Sequence, residues 1–121
     1  MMPLSKYFTR EEFACKCGCG FDAVDAELLH VLDGVREYFN APVTINSGCR
    51  CQHRNDAVGG KPKSLHLHGK AADIVVKGVA TASVVQLLNV RYPDCYGVGL
   101  YDSWVHIDVR ETKSRWGGAD Q

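Results

Sequence analysis

The sequence predicts an α+β fold in which helices flank a small antiparallel sheet, and three patterns lead to this prediction. Apolar residues recur at steps of three and four over 25–39, as on the buried side of an amphipathic helix. Short segments with the composition of strands occur near positions 43, 71 and 97–109. The last two strand segments are joined by Asp102 and Ser103, a connection short enough to make an antiparallel hairpin.

The first half of the chain contains signals for two helices, a strand and a loop. Thr9 to Glu12 has the form of a capping box, which predicts a short helix that carries Phe13 inward. Asp25 to Phe39 is the predicted amphipathic helix, and Val43 to Asn46 is a predicted strand. Gln52 to Ser64 contains two adjacent glycines and a proline, so we expect a loop that forms the rim of a cleft.

The second half adds three strands and another helix. The apolar run Ala71 to Val76 predicts a buried strand. Thr81 is the expected cap of a helix with apolar residues at positions 84, 85 and 88. Gly97 to Tyr101 and Trp104 to Val109 are the two strands of the hairpin.

Size and charge restrict the function classes that we consider. A chain of 121 residues fits one domain, so we expect residues 1–121 to form a single unit and to be a monomer. Fourteen basic and 14 acidic residues give a formal net charge of zero, which argues against nucleic-acid binding. The sequence lacks the apolar core of a signal peptide and any run long enough to span a membrane, so we expect synthesis in the cytoplasm and no membrane insertion.

One histidine and one aspartate, seven positions apart, have the spacing of two metal ligands. A catalytic zinc typically takes three protein ligands from His, Asp, Glu and Cys, and His66, Asp73 and His106 supply such a set. Gly69 permits a turn between the first two. Alternation on the last strand puts His106 and Asp108 on one face, so either side chain is able to face the ion.

The pattern Ser-x-His-x-x-Gly-x-Ala-x-Asp at 64–73, followed by His-x-Asp at 106–108, resembles the zinc D-Ala-D-Ala peptidases of the M15 type. These are cell-wall enzymes of bacteria and their phages. The resemblance extends from about Tyr7 to Arg110 and implies a fold like that of the hedgehog and DD-peptidase domains. Three upstream segments also resemble the family, and they lie at 8–13, 45–50 and 54–60.

The resemblance implies a role for each site residue. It makes His66, Asp73 and His106 the ligands of one catalytic zinc, and it makes Arg50 the group that binds a substrate carboxylate or the developing oxyanion. Two other side chains are candidates for substrate binding. Ser64 either hydrogen-bonds the substrate peptide or caps the loop, and His68 is read as a rim or substrate contact.

The general base is less well defined by the sequence. Many members of the family place a Glu or Asp three residues before the last histidine, where this chain has Ser103. Asp102 and Asp108 are the nearest carboxylates, and we favour Asp108 because it shares the face of His106. Two alternatives stay open, in which Asp108 orients His106 or replaces it as the third ligand.

Six cysteines are many for a cytoplasmic protein. Cys15, Cys17, Cys19, Cys49 and Cys51 form two close clusters that suit a second, structural zinc, although Cys-x-Cys steps are tighter than the usual zinc knuckle. The alternatives are reduced thiols or disulfides formed in an oxidising space.

The sequence as a whole predicts a zinc metallopeptidase that hydrolyses amide bonds in peptidoglycan stem peptides, in the manner of an endolysin or a wall-remodelling enzyme. One alternative is a carboxypeptidase or dipeptidase that acts on D-Ala-D-Ala ends. Another is a non-catalytic wall-binding or phage structural module that keeps the zinc fold. We expect the protein to reach the wall through a holin-type release or as part of a phage particle.

Overall fold

Five short strands form a single mixed sheet in the computed structural model of the protein, which describes residues 3–120. The strands are β1 (Val43–Ser47), β2 (Ala71–Val76), β3 (Gly97–Leu100), β4 (Val105–Asp108) and β5 (Ser114–Trp116). Their order across the sheet is β1-β2-β4-β3-β5. The first four strands pair in antiparallel fashion, whereas β5 pairs with β3 in parallel.

Within residues 3–120, three α-helices and two 3-10 turns complete the fold. The helices are α1 (Ala26–Phe39), α2 (Gln52–Ala57) and α3 (Thr81–Arg91). The 3-10 turns are Arg10–Phe13, which buries Phe13 completely, and Leu65–His68, which leads into β2. The α+β class predicted from the sequence is therefore confirmed.

One face of the sheet carries the hydrophobic core. Ile74 of β2 lies opposite Ile45 on one side and Val105 on the other, and all three are buried. Helices α1 and α3 pack eight buried residues into this core: Leu28, Val31, Leu32, Val35, Val84, Val85, Leu87 and Leu88. Because side chains alternate along a strand, the residues between these core positions face the other way.

The opposite face is polar, and it is open where glycines line β3. Asp73 lies opposite His106, which in turn lies opposite Gly99. A Cβ atom at Gly99 would overlap the indole of Trp116. Because Gly99 has no side chain, Trp116 of β5 is able to lie beside His106.

The structure corrects three details of the sequence prediction. Residues 52–64 are not all loop, because α2 occupies Gln52–Ala57, and it buries the polar Asn55 instead of an apolar stripe. Thr81 does not cap α3, because it is the first helical residue and follows Ala80, which makes no side-chain capping bond. The sheet is not purely antiparallel, since the unpredicted β5 adds a parallel edge strand.

Candidate functional site

The 3-10 turn before β2 holds His66 in a fixed orientation. The Ser64 side chain accepts a hydrogen bond from the His66 backbone N–H at 3.2 Å, and Gly69 ends the turn in the left-handed region at φ 67°. His66 Nδ1 lies 2.6 Å from the carbonyl oxygen of Gly48, which can only accept, so Nδ1 carries the proton. Nε2 is thus the ring nitrogen that is available as a ligand, and it lies 3.5 Å from Asp73 Oδ1.

Strand pairing brings the other two predicted ligands together. Asp73 on β2 and His106 on β4 are direct partners across the antiparallel ladder, and His106 Nδ1 lies 3.0 Å from Asp73 Oδ1. The sequence-predicted set of His66, Asp73 and His106 therefore meets at one point, with one ligand atom from each residue within 4.8 Å of the others.

The convergence of these atoms fits a zinc ion. Ligand bonds of about 2.0–2.1 Å in a tetrahedral site separate neighbouring donor atoms by about 3.4 Å. The observed separations from Asp73 Oδ1 are 3.5 Å to His66 and 3.0 Å to His106, so small adjustments are enough to accommodate the ion. Two imidazoles and one carboxylate leave a fourth position for water or substrate, as catalytic zinc requires.

The Asp108 carboxylate lies behind His106. His106 Nε2 is 2.8 Å from Asp108 Oδ2, on the side of the ring that faces away from Asp73. The same carboxylate is completely buried and accepts hydrogen bonds from the Gly97 and Arg110 backbones and from the Arg110 guanidinium. Both of its oxygens are thus occupied by donors of the protein.

These contacts shift the pKa values of the acidic and imidazole groups in opposite directions. Burial would raise the pKa of Asp73, but hydrogen bonds with His106 and His66 hold it well below its usual range. Burial likewise opposes ionisation of Asp108, yet His106 and Arg110 keep its pKa low. For His106, burial would lower the pKa, and the bonds with Asp108 and Asp73 outweigh it, so the net shift is upward.

Arg50 lies directly beside the predicted ligands. Its guanidinium donates to Ser47 Oγ at 3.2 Å, to Asn55 Oδ1 at 3.3 Å and to Asp73 Oδ2 at 3.4 Å. Asn55 is held in turn by its own donation to the Lys61 carbonyl at 2.9 Å. The structure therefore fixes Arg50 through the end of β1 and the buried residue of α2.

An open cleft of about 640 Å³ lies above this cluster. Arg50, Lys61, Lys63 and Arg110 supply positive charge along its lining. Its aromatic wall is formed by Tyr101, Trp104 and Trp116: the first two rings stack at 4.5 Å, and Trp116 lies 5.1 Å from the His106 ring. The cleft thus offers both cationic and aromatic surfaces to a ligand.

Two residues that the sequence suggested for the site lie outside this cleft lining. Asp102 is exposed in the connection between β3 and β4. His68 is exposed at the end of the 3-10 turn and borders a separate shallow groove that also contains Phe21 and Leu67. Among residues 3–120, the carboxylates that line the cleft belong to Asp73 and Asp108.

Sequence reasoning missed Arg110 and Asn55, two of the residues that shape the site. Arg110 holds Asp108, Trp116 flanks His106, and Asn55 holds Arg50. Asn55 lies in segment 54–60, which resembles the family, so the sequence offered a signal that Asn55 belongs near the site. Arg110 gave no such signal and reaches Asp108 two residues earlier in the chain, whereas the position of Trp116 depends on the pairing of β5 with β3.

Comparison with known proteins identifies a family. The family model for Peptidase M15 matches residues 6–108. A search of curated proteins finds no match. Separately, none of the helices within residues 3–120 has the length and apolar character needed to cross a membrane.

Proposed function

Because the chain belongs to the Peptidase M15 family, we propose that it is a zinc-dependent peptidase that hydrolyses amide bonds in the stem peptides of bacterial peptidoglycan. The observation that carries this proposal is the meeting of His66, Asp73 and His106 on the floor of an open cleft. The donor set and its fourth, open position suit amide hydrolysis better than a purely structural role.

In this proposal His66 Nε2, His106 Nδ1 and an Asp73 oxygen hold the ion. When bound, zinc supplies a Lewis acid that polarises a carbonyl and lowers the pKa of water to about 7. The hydrogen bond between His66 and Gly48 and that between His106 and Asp108 would fix which ring nitrogen of each histidine faces the ion.

Arg50 is the proposed electrostatic partner of the substrate. Its guanidinium is about one-seventh exposed, at 15%, and lies 3.4 Å from a carboxylate of the metal site. Burial lowers its pKa, but a guanidinium stays charged throughout the physiological range. Such a group is suited to bind the oxygen on which negative charge develops, or a carboxylate of the stem peptide.

For Asp108 we propose a positioning role instead of the general base that the sequence favoured. Its carboxylate is buried and saturated with donors, so it is better suited to orient His106 than to accept a proton from water. Asp102 keeps a free carboxylate but lies outside the cleft lining. A base from Asp102 would therefore need the connection between β3 and β4 to move toward the ion.

The charge of the cleft supports the proposed substrate class. Peptidoglycan stem peptides carry free carboxylates, and Lys61 and Lys63 line the cleft on the side of Arg50. Trp116 and Tyr101 supply flat surfaces against which a short peptide is able to pack. We propose delivery to the wall by holin-type release or within a phage particle, as expected from the sequence.

The experiment that tests the function is digestion of purified peptidoglycan by zinc-loaded protein, followed by mass spectrometry of the soluble products. We expect new amino and carboxyl termini within the stems, and none with His66→Ala. Release of single D-Ala residues without internal cleavage would instead identify a carboxypeptidase. A wild-type protein that is loaded with zinc but leaves the wall intact would contradict the proposal.

A second candidate function is a wall-binding module without turnover. The absence of an uncommitted carboxylate in the cleft lining, among the residues that the structure describes, favours it. The two functions separate in a sedimentation assay with insoluble peptidoglycan at saturating zinc. Binding without product formation would support the module, and product formation would support the peptidase.

A further inference from the structure

Four cysteine thiols converge at a place that the proposed peptidase chemistry does not use. The Sγ atoms of Cys15, Cys17, Cys19 and Cys51 all lie within 4.8 Å of one another. The Cys15–Cys17 separation is 3.5 Å, Cys15–Cys51 is 3.7 Å and Cys17–Cys51 is 3.5 Å. These distances are far longer than the bond of about 2.05 Å in a disulfide.

The spacing of the sulfurs matches a metal site. Zinc binds thiolate sulfur at about 2.3 Å, and four such ligands at the corners of a tetrahedron lie about 3.8 Å apart. The three separations of 3.5, 3.7 and 3.5 Å come close to that value. Four thiolates also form a closed ligand set, which is typical of a structural zinc and leaves no open position for a substrate.

The backbone around the cluster explains how such tight Cys-x-Cys steps can reach one ion. Gly18 has a φ of 81°, and its N–H donates to the Cys15 carbonyl at 3.2 Å, so the chain turns back between the ligands. Two backbone N–H groups point at sulfur: Cys51 N donates to Cys15 Sγ and Arg54 N to Cys51 Sγ, both at 3.4 Å. Such donors stabilise the negative charge of thiolate ligands.

Cys49 does not belong to this cluster, although the sequence grouped it with Cys51. Its buried thiol donates to the carbonyl oxygens of Phe13 at 3.2 Å and Phe21 at 3.0 Å. Cys49 is therefore occupied by the backbone, and the ligand set is reduced from five candidates to four.

We propose that Cys15, Cys17, Cys19 and Cys51 bind a structural zinc ion that attaches the N-terminal cysteine loop to the segment behind the peptidase site. That segment supplies the Gly48 carbonyl that fixes His66, and Cys51 directly follows Arg50. The ion thus cross-links two loops and stabilises the backbone on which the neighbouring site depends. This proposal concerns a different ligand set and stands independently of the peptidase activity.

The experiment counts metal ions per chain in two variants and a matched control. We expect about two zinc ions in the wild-type protein after reducing purification with zinc and desalting. Cys17→Ser/Cys19→Ser removes two exposed ligands and should retain one ion, whereas Cys95→Ser, which changes a thiol outside the cluster, should retain two. His66→Ala should lose the ion of the His-Asp-His site and retain the one at the cysteines.

A second measurement identifies the ligands in the intact wild-type chain. Cobalt bound by four thiolates gives intense sulfur-to-cobalt charge-transfer absorption, which a His-Asp-His site does not give. We expect this absorption in the wild-type protein and in His66→Ala, and its loss in Cys17→Ser/Cys19→Ser. Two zinc ions in that cysteine variant, or disulfide pairing of the four thiols in freshly isolated protein, would overturn the proposal.

Discussion

The His66–Asp73–His106 site and the four-cysteine cluster use different kinds of backbone to bring their ligands together. Asp73 and His106 are partners on adjacent strands, so the hydrogen bonds of the sheet hold them opposite each other. Three of the four cysteines belong to the loop after the first 3-10 turn, and the fourth precedes α2. The first site is held by the pairing of two strands, whereas the second brings together two segments outside the sheet.

This difference indicates what each proposed ion contributes. The histidine and aspartate side chains are hydrogen-bonded to one another and to the protein without metal, so the ion is needed for chemistry more than for shape. Cys17 and Cys19 are exposed and lie in the loop that follows the first 3-10 turn. We therefore expect metal loss to affect activity at the first site and local order at the second.

Replacing Asp73 by Ala should have the largest effect on the sheet-based site. The change removes the one ligand that contacts His66, His106 and Arg50, so we expect zinc affinity at this site to fall by more than about 100-fold and wall digestion to stop. Competition with a chromophoric chelator measures the affinity. Asp73→Ala should keep the ion of the cysteine cluster, and loss of both ions together would contradict the independence of the two sites.

Asp108→Asn should have a smaller effect, because it changes the support of a ligand and not a ligand. We expect about 10–100-fold weaker zinc binding at the His-Asp-His site, since the partner of His106 Nε2 loses its charge. Asp102→Asn is the matched control, because its exposed carboxylate lies outside the cleft lining. If Asp102→Asn instead abolished digestion and left zinc affinity unchanged, Asp102 would be the general base.

The parts of the fold that sequence reasoning identified are those with a periodic apolar pattern. Helix α1 and strands β1 to β4 follow such patterns, and strands β2 and β4 place Asp73 and His106 opposite each other. Helix α2 was not predicted because its buried residue is the polar Asn55 and it has no apolar stripe. Strand β5 escaped because its three residues are only partly buried and depend on pairing with β3.

The sequence predicted that His66, Asp73 and His106 would lie together, but it did not predict the residues that hold them. His66, Asp73 and His106 are chemically distinctive residues in a characteristic spacing. The donors that saturate Asp108 come from Gly97, its partner on the neighbouring strand β3, and from Arg110, just beyond β4. Such contacts depend on strand register and side-chain orientation, which local sequence patterns do not specify.

Gly99→Ala tests how strongly the sheet determines the geometry beside His106. The new Cβ would overlap the Trp116 indole, so we expect destabilisation by about 1–3 kcal/mol in chemical denaturation, together with weaker zinc binding at the sheet site. Gly34→Ala is the control. It lies inside α1 and its Cβ would meet only the flexible end of Arg91, so stability should be unchanged or higher by up to about 1 kcal/mol. Equal effects of the two changes would contradict this packing argument.

The smallest expected effect is the pH dependence of the metal-free protein. Asp73 and Asp108 have lowered pKa values in the folded state. Their contribution to the free energy of unfolding is therefore present above about pH 4 and is lost as the pH falls further. His106 has a raised pKa in the folded state. Its contribution to the free energy of unfolding is therefore complete below about pH 6.5 and is lost as the pH rises through the pKa of the folded state.

The metal-free protein should therefore be most stable between about pH 4 and pH 6.5, with a decrease on the order of 1 kcal/mol toward pH 8. Urea denaturation of chelator-treated Cys17→Ser/Cys19→Ser measures this with two of the four cluster thiols removed. Added zinc should move the pH of maximum stability upward, because zinc binding requires a neutral His106. If the stability of the metal-free variant rose steadily from pH 5 to pH 8, the ion pairs around His106 would not stabilise the fold, and the sheet alone would hold the ligands in place.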